Sequence, residues 1–286
     1  MIPYEVEYVR AGSVQQALSM LAQNPDAKIL AGGHTLLPMM KLRLARPALL
    51  VDIGRLPELR GIAVHQDAIS IGSATTHAEL EASAELKQLA PLFPLAASVI
   101  ADPTVRNRGT IGGALVHADP SADWPAVVLA AGAEMEIVGE QGTRRIPAHE
   151  FFVGFMSSAV QPDEVLTRIH VPLPAATRVA YRKFRHPSSG YAVAAAAVAI
   201  DVVNDGYAWG RIGITGVAEA AFRATSAEAL LEGNFTDIAD KVDAIVDAAF
   251  ADVTPLEDNF ADGAYRLQLG RVMLKRALLE ALEPRG

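Results

Sequence analysis

The apolar positions change their period several times along the chain, and each change marks an element. Val14, Ala17, Leu18, Leu21 and Ala22 recur at helical spacing, with Ser13 and Gln16 spaced as a capping box. Lys28 to Ala31 predicts a short buried strand that runs directly into Gly32-Gly33. Leu36 to Leu44 predicts a helix with Pro38 in its first turn, and Ala48 to Ile53 a second strand. Alternation then replaces the run: Ile62 to Val64 and Ile69 to Ile71, around Gln66-Asp67, predict a hairpin. Thr76 and Glu79 are spaced as another capping box. Pro94 to Ile100 predicts a helix, and the polar stretch Thr104 to Arg108 leads into Gly109-Thr110-Ile111-Gly112-Gly113. Asp123 is placed to cap a helix that begins at Trp124-Pro125. Strands follow at Glu134 to Val138 and Val165 to Val171.

Pro172 and Pro174, with Ala175, Ala176 and Thr177 after them, form the best candidate linker. Beyond it lie three strand-like runs, Val179 to Phe184, Ala192 to Val203 and Ala208 to Val217. Asn204-Asp205-Gly206 between the last two is a hairpin signal. Thr225 to Leu231, Ala239 to Ala249 and Leu267 to Leu282 read as helices. The pattern predicts a separate C-terminal α+β domain of about 110 residues, large enough for its own core. The expected division is 1–175, with subdomains of about 1–56 and 57–175, followed by 176–286. No internal repeat or low-complexity tract is present.

Composition narrows the function. The chain has 286 residues, 51% of them hydrophobic and 20% charged, which is ordinary globular material. It contains no cysteine, which excludes thiolate zinc sites, cysteine-held iron–sulfur clusters, cysteine nucleophiles and a flavin tethered through sulfur. A net charge of −8 argues against an extended nucleic-acid footprint. The longest apolar stretch, Tyr191 to Ile200, falls short of the roughly 20 residues of a membrane span. Met1-Ile2-Pro3-Tyr4-Glu5 has neither a basic nor a leucine-rich leader region, so a cytoplasmic protein is expected. The mean hydropathy of +0.22 fits a chain that buries surface against partners.

The two glycine segments, Ala31-Gly32-Gly33-His34-Thr35-Leu36 and Gly109-Thr110-Ile111-Gly112-Gly113-Ala114, carry the candidate chemistry. Successive glycines admit positive φ and expose N–H groups, so both could form anion nests that together clasp a pyrophosphate. A single Gly-Gly pair is usually only a turn; two in this setting are less easily dismissed. Neither segment is a Walker loop, and neither has dinucleotide Rossmann spacing. His34, His77 and His117 have no zinc-ligand spacing, and no metal site is expected. Asp119 and Asp123 could act as paired carboxylates, but helix capping and ribose binding explain them more simply. Arg144-Arg145 and Arg182 to Arg185 read as solvated faces or subunit contacts, and Ala194 to Ala197 as close backbone packing.

These residues resemble the FAD-binding medium subunits of the molybdenum hydroxylases, the family of xanthine dehydrogenase and carbon monoxide dehydrogenase. The likeness runs from Met1-Ile2-Pro3 through residues 31–41, Ile71 to His77, Ile100 to Pro103, Arg106 to Gly113 and Asp119 to Asp123. It implies a two-part FAD-binding domain of the PCMH (vanillyl-alcohol-oxidase-like) type. A smaller α+β domain with a three-stranded antiparallel sheet and helices would follow it. Carried over by position, Ala31, Gly32, Gly33, His34 and Thr35, with Thr110, Ile111, Gly112, Gly113 and Ala114, enfold the pyrophosphate of a non-covalent FAD. Leu36, Leu37, Ile100 and Leu166 pack near the flavin or line its cleft, and Asp123 binds the adenosine portion. Arg185 falls where the family often has a flavin-contacting lysine, and Tyr191 where a tyrosine covers one flavin face. Ala114 departs from the usual Gly-Gly-Asn ending and Thr35 replaces a serine.

The resemblance further implies an oxidoreductase subunit with no catalytic residue of its own. Electrons would come from two [2Fe-2S] clusters on a small partner subunit and leave FAD for an external acceptor. A large partner would hold a molybdenum–pterin cofactor and hydroxylate the substrate, in a dimer of heterotrimers. A stand-alone flavoprotein oxidase or reductase, or a cofactor-free scaffold subunit, are the alternatives.

Overall fold

The computed structural model describes residues 2–176, 178–203 and 206–283. A first unit is built from β1 (Glu7–Arg10), α1 (Val14–Gln23), β2 (Ala27–Leu30), α2 (Leu36–Lys41) and β3 (Leu49–Asp52). Its sheet is parallel in the order β1-β3-β2, so β3 is central, and Leu49, Leu50 and Val51 are buried on it. Ser13 accepts from the Gln16 N–H to cap α1, whose Ala17, Leu18 and Leu21 cover the sheet. Gln16 does not complete a capping box; its side chain reaches back to the Gly12 N–H instead.

A second unit begins with the predicted hairpin, β4 (Ile62–Val64) and β5 (Ala68–Gly72). A run of short helices follows: α3 (His77–Ala82), α4 (Ala84–Leu89), α5 (Leu92–Ser98), α6 (Pro103–Arg106), α7 (Ile111–His117) and α8 (Trp124–Ala131). Thr76 and Glu79 form a complete capping box at the start of α3. The chain then adds β6 (Glu134–Gly139), β7 (Gly142–Pro147), α9 (Ala148–Phe151), β8 (Phe152–Gly154), β9 (Ser157–Ser158) and β10 (Val165–Pro172). The five-stranded sheet has the order β4-β5-β10-β6-β7 and is antiparallel throughout. Its period of two is interrupted by a bulge on β10 between Leu166 and Arg168, which brings both Leu166 and Ile169 to the core. Ile69, Ile71, Met135, Ile137, Ile169 and Val171 enter the core, while Ser70, Glu136, Arg168 and His170 share the opposite face. On that face His170 and Thr167 both hydrogen-bond the Glu136 carboxylate at 2.9 Å.

The third unit contains β11 (Arg178–Arg185), β12 (Ala192–Val202), β13 (Tyr207–Thr215), β14 (Phe222–Arg223), α10 (Thr225–Glu228), β15 (Gly233–Asn234), α11 (Val242–Phe250) and α12 (Gly263–Leu282). Its three long strands are antiparallel, as expected, with β14 and β15 added on β13. Asn204 and Asp205 of the predicted turn, and Thr177 of the predicted linker, lie outside the described residues. Leu173, Ala175 and Ala176 pack against the second unit's core, so this stretch is a docked connection.

The alanines of β12 explain how the units join. Ala195, Ala197 and Ala199 face the core that contains α5 and α8, while Ala194, Ala196, Val198 and Ile200 face α11 and α12. The C-terminal unit therefore has its own core and also completes its neighbour's. Small side chains let both helical layers approach, and at the tightest point a Cβ on Gly213 would lie 2.0 Å from the Ala126 carbonyl oxygen.

Gly213→Ala is expected to lower stability by about 1–3 kcal/mol, because α8 must be pushed off β13. Gly154→Ala, where a Cβ meets nothing within 4 Å, should stay within about 0.5 kcal/mol of the parent. Urea denaturation midpoints compare the two; equal midpoints would show that the close approach is not a constraint.

Candidate functional site

The three units enclose a cleft of about 740 Å³, within the roughly 300–1,000 Å³ usual for small-molecule sites. The first unit supplies the loop from Ala31 to Thr35, together with Leu36. The second supplies Ile100, Thr110, Gly112, Gly113, Ala114, Asp123 and Leu166, and the third supplies Gly190 and Tyr191. Three expected residues do not line the cleft. Leu37 folds back over its own loop, where a Cβ on Gly33 would lie 3.0 Å from its Cδ1. Ile111 is wholly buried in the core. Arg185 donates to the Val99 carbonyl at 2.7 Å instead.

The two glycine segments touch each other. A Cβ on Gly32 would lie 2.1 Å from the Arg108 carbonyl oxygen and 3.0 Å from Gly109 Cα, so no larger residue permits the contact. Gly33 follows at φ +78, a left-handed conformation that glycine adopts without cost. In this first segment the N–H groups of Gly32, Gly33, His34 and Thr35 have no hydrogen-bond partner among the described residues. The second segment differs from the expectation of a matching nest. It is the first turn of α7, capped by the Thr110 hydroxyl, which accepts from Gly113 N–H at 3.2 Å. Ile111 and Gly112 donate to the Thr75 and Ser73 carbonyls at 3.1 and 2.8 Å. These amides hold α7 in place, against Ser73, whose Cβ lies 2.5 Å from where a Gly112 Cβ would stand. An anion entering the cleft therefore meets free amides on the first segment and a braced helix start on the second.

Strain collects around the same space. Ala101 (φ 44), Ala118 (φ 50) and Met156 (φ 49) are left-handed without being glycine, at about 1–2 kcal/mol each. Ala101 and Met156 line the cleft, and Ala118 lies between the lining residues His117 and Asp119.

Asp123 does not cap α8 with its side chain. Its carboxylate turns across the seam, where Tyr181 donates to Oδ1 at 2.6 Å and Lys183 to Oδ2 at 2.8 Å. The Asp123 and Lys183 side chains are only 6% and 4% exposed. Burial pushes the Asp123 carboxyl up, and the Lys183 ammonium and Tyr181 hydroxyl act against it. Burial also raises Tyr181, which stays protonated and donates. Lys183 is thus no solvated charge, which corrects the reading of residues 182–185 as a solvated face or subunit contact at this one position. The overlooked signal was Tyr181 and Lys183 at i, i+2, which share one face of a strand. Tyr191, partly covered, has its phenol raised by burial first and the Asp119 charge next, with the Thr35 hydroxyl acting the other way. It therefore reaches from the third unit toward the first glycine segment. His77 is a further missed residue. Its Nδ1 accepts from Trp124 Nε1 at 3.0 Å, and burial lowers its pKa to about 4, helped by His34 and Arg106.

Known proteins resemble this chain in sequence and in overall fold. The family described as the FAD binding domain in molybdopterin dehydrogenase matches residues 4–174, and the CO dehydrogenase flavoprotein C-terminal domain matches residues 179–281. The chain is 42% identical over 281 residues to the carbon monoxide dehydrogenase medium chain of Hydrogenophaga pseudoflava, covering 97% of each. It is 38% identical over 285 residues to the 6-hydroxypseudooxynicotine dehydrogenase complex subunit alpha of Paenarthrobacter nicotinovorans, covering 99% of this chain and 96% of that one. Among solved structures, the carbon monoxide dehydrogenase of Hydrogenophaga pseudoflava, in a form lacking the Mo-pyranopterin moiety, superposes with a TM-score of 0.92. It shares 43% identity and covers 98% of both chains.

Asp123→Asn leaves Lys183 buried without its counter-charge and is expected to cost about 3–5 kcal/mol, as is Lys183→Met. Asp123→Asn combined with Lys183→Met keeps an acceptor for Tyr181 and should cost much less than the two single losses summed. Denaturant unfolding of the four proteins gives the coupling; simple additivity would rule out the pair as a seam lock.

Proposed function

The chain belongs to the FAD-binding medium subunits of the molybdenum hydroxylases, and from that premise we propose that its cleft holds one non-covalent FAD as the electron-transfer site of a heterotrimeric complex. The observation that carries the assignment to this cleft is the set of free amides from Gly32 to Thr35 beside apolar walls. A pyrophosphate is an anion, and unpaired N–H groups would neutralise it, with no arginine among the described residues that line the cleft. When bound, FAD supplies the redox chemistry, accepting electrons from single-electron donors and releasing them in pairs. This chain's part is to bind, orient and cover it. Gly32, Gly33, His34 and Thr35 would donate to the phosphates, and Thr110, Gly112, Gly113 and Ala114 would wall the opposite side. Leu36, Ile100 and Leu166 would exclude water from the ring system, and Tyr191 would cover one face. Asp123 keeps carboxylate lone pairs beyond those used by Tyr181 and Lys183, so ribose contact stays compatible with its geometry. Ile111 and Leu37 would act from behind the lining, and Arg185 through the Val99 carbonyl.

With no cysteine on this polypeptide, the two [2Fe-2S] clusters belong to a small partner and the molybdenum–pterin cofactor to a large one. A dimer of heterotrimers in the cytoplasm, with an FAD unit to about residue 175 and a C-terminal unit after it, completes the proposal. Among the described residues no helix is long and apolar enough to cross a membrane. The named relatives act in complexes with different substrates, so substrate choice is assigned to the large subunit.

The purified chain titrated with FAD should saturate at one flavin per chain, read by quenching of flavin fluorescence. Gly32→Ala, Gly33→Val and Gly112→Val should each weaken retention by about tenfold or more, since each Cβ enters a contact or backbone geometry reserved for glycine. Stoichiometric, undiminished FAD in all three would move the pyrophosphate site elsewhere.

A further inference from the structure

We infer that His77 is a cofactor-contacting residue, whose ring Nε2–H donates a hydrogen bond to the FAD pyrophosphate at the point where the two glycine segments meet. The inference rests on the FAD assignment above and adds a side-chain donor to its backbone amides. The tautomer follows from the partner. An indole N–H only donates, so the Trp124 bond at 3.0 Å makes His77 Nδ1 the bare nitrogen and leaves the proton on Nε2. The residue is only 5% exposed and lines the cleft, and Nε2 has no hydrogen-bond partner among the described residues. An unpaired donor on the lining of the cleft is available to whatever fills it.

Position selects the partner. The His77 main-chain N–H donates to the Gly109 carbonyl at 3.0 Å, fixing the ring against the second glycine segment. A Cβ on Gly109 would lie 2.7 Å from Nε2, and Gly109 Cα in turn lies 3.0 Å from where a Cβ on Gly32 would stand. Nε2 and Gly32 thus both pack against Gly109, and all three residues line the cleft that the phosphates would enter. The donor is neutral. Burial, with the charges of His34 and Arg106, holds the imidazole uncharged down to about pH 4. Its contribution to binding an anion should then persist unchanged through neutrality, unlike that of a cationic histidine.

The test uses the full-length chain with FAD as the probe. His77→Phe keeps an aromatic ring beside Trp124 and removes the donor; the Kd for FAD should rise about tenfold, and His77→Gln, with an amide N–H, should recover part of the loss. The ratio of His77→Phe to parent Kd should stay constant from pH 5 to 8. A ratio that collapses as pH rises through about 6.5 would mean a cationic histidine and overturn the inference. Because His77→Phe also unpairs the Trp124 indole, the parent is labelled with [15N]histidine as well. Its His77 Nε2–H correlation should be present in the free protein and shift on adding FAD; an Nδ1–H tautomer, or no shift at saturation, would overturn it. A parent chain that takes up no FAD would instead overturn the cofactor assignment itself.

Discussion

The cleft depends on a contact between two stretches of main chain: Gly32 lies so close to Arg108 that a Cβ would sit 2.1 Å from its carbonyl oxygen. That contact brings the loop after a parallel strand of the first unit against the start of α7 in the second. Because it is made by Cα and carbonyl atoms, it leaves the amides of Gly32 to Thr35, residues that line the cleft, without a partner among the described residues. The same device recurs where Gly112 meets Ser73 and where Gly213 meets Ala126. Backbone contacts of this kind are stiff, having no rotamers through which to relax, and stiffness is what a site that orients a cofactor requires.

The third unit is as much a part of the site as the glycine segments. Ala192 N–H donates to the Ser121 carbonyl at 3.0 Å, Gly216 N–H to the Pro120 carbonyl at 2.6 Å, and the Thr215 hydroxyl lies 2.8 and 2.9 Å from the Pro120 and Ala122 carbonyls. Residues 120–122 thus have their carbonyls held by the ends of the C-terminal sheet, and the Asp123 side chain is locked beside them by Tyr181 and Lys183. Arg266, buried at the start of α12, holds the Val193 and Gly216 carbonyls at 2.9 and 2.8 Å, behind the loop that bears Tyr191. The C-terminal unit therefore shapes one wall of the cleft, and the alanines of β12 let its sheet lie between two helical layers.

Much of this was legible in the chain. The β–glycine turn–α–β unit, the hairpin after it, the capping box at Thr76 and the three long C-terminal strands follow from period and turn chemistry, which are local signals. What escaped was either featureless or non-local. β1 is an edge strand whose four residues are all exposed, so it carries no alternation to detect. α7 hides behind Gly112-Gly113, because glycine costs a helix about 1 kcal/mol per residue and reads as a loop. Asp123 looked like a cap for α8, since its actual partners lie 58 and 60 residues along the chain. His77 looked like a stray histidine until Trp124, 47 residues away, was seen to fix its tautomer.

Amide hydrogen exchange of the full-length chain, read by residue with and without saturating FAD, addresses the central relation most directly. The N–H groups of Gly32 to Thr35 should exchange readily in the free protein and gain strong protection when FAD binds. Those of Ile111 to Gly113, already bonded to Thr75, Ser73 and Thr110, should be protected in both states. Protection gained at Ile111 to Gly113 while Gly32 to Thr35 remain unchanged would contradict the placement of the pyrophosphate on the first glycine segment.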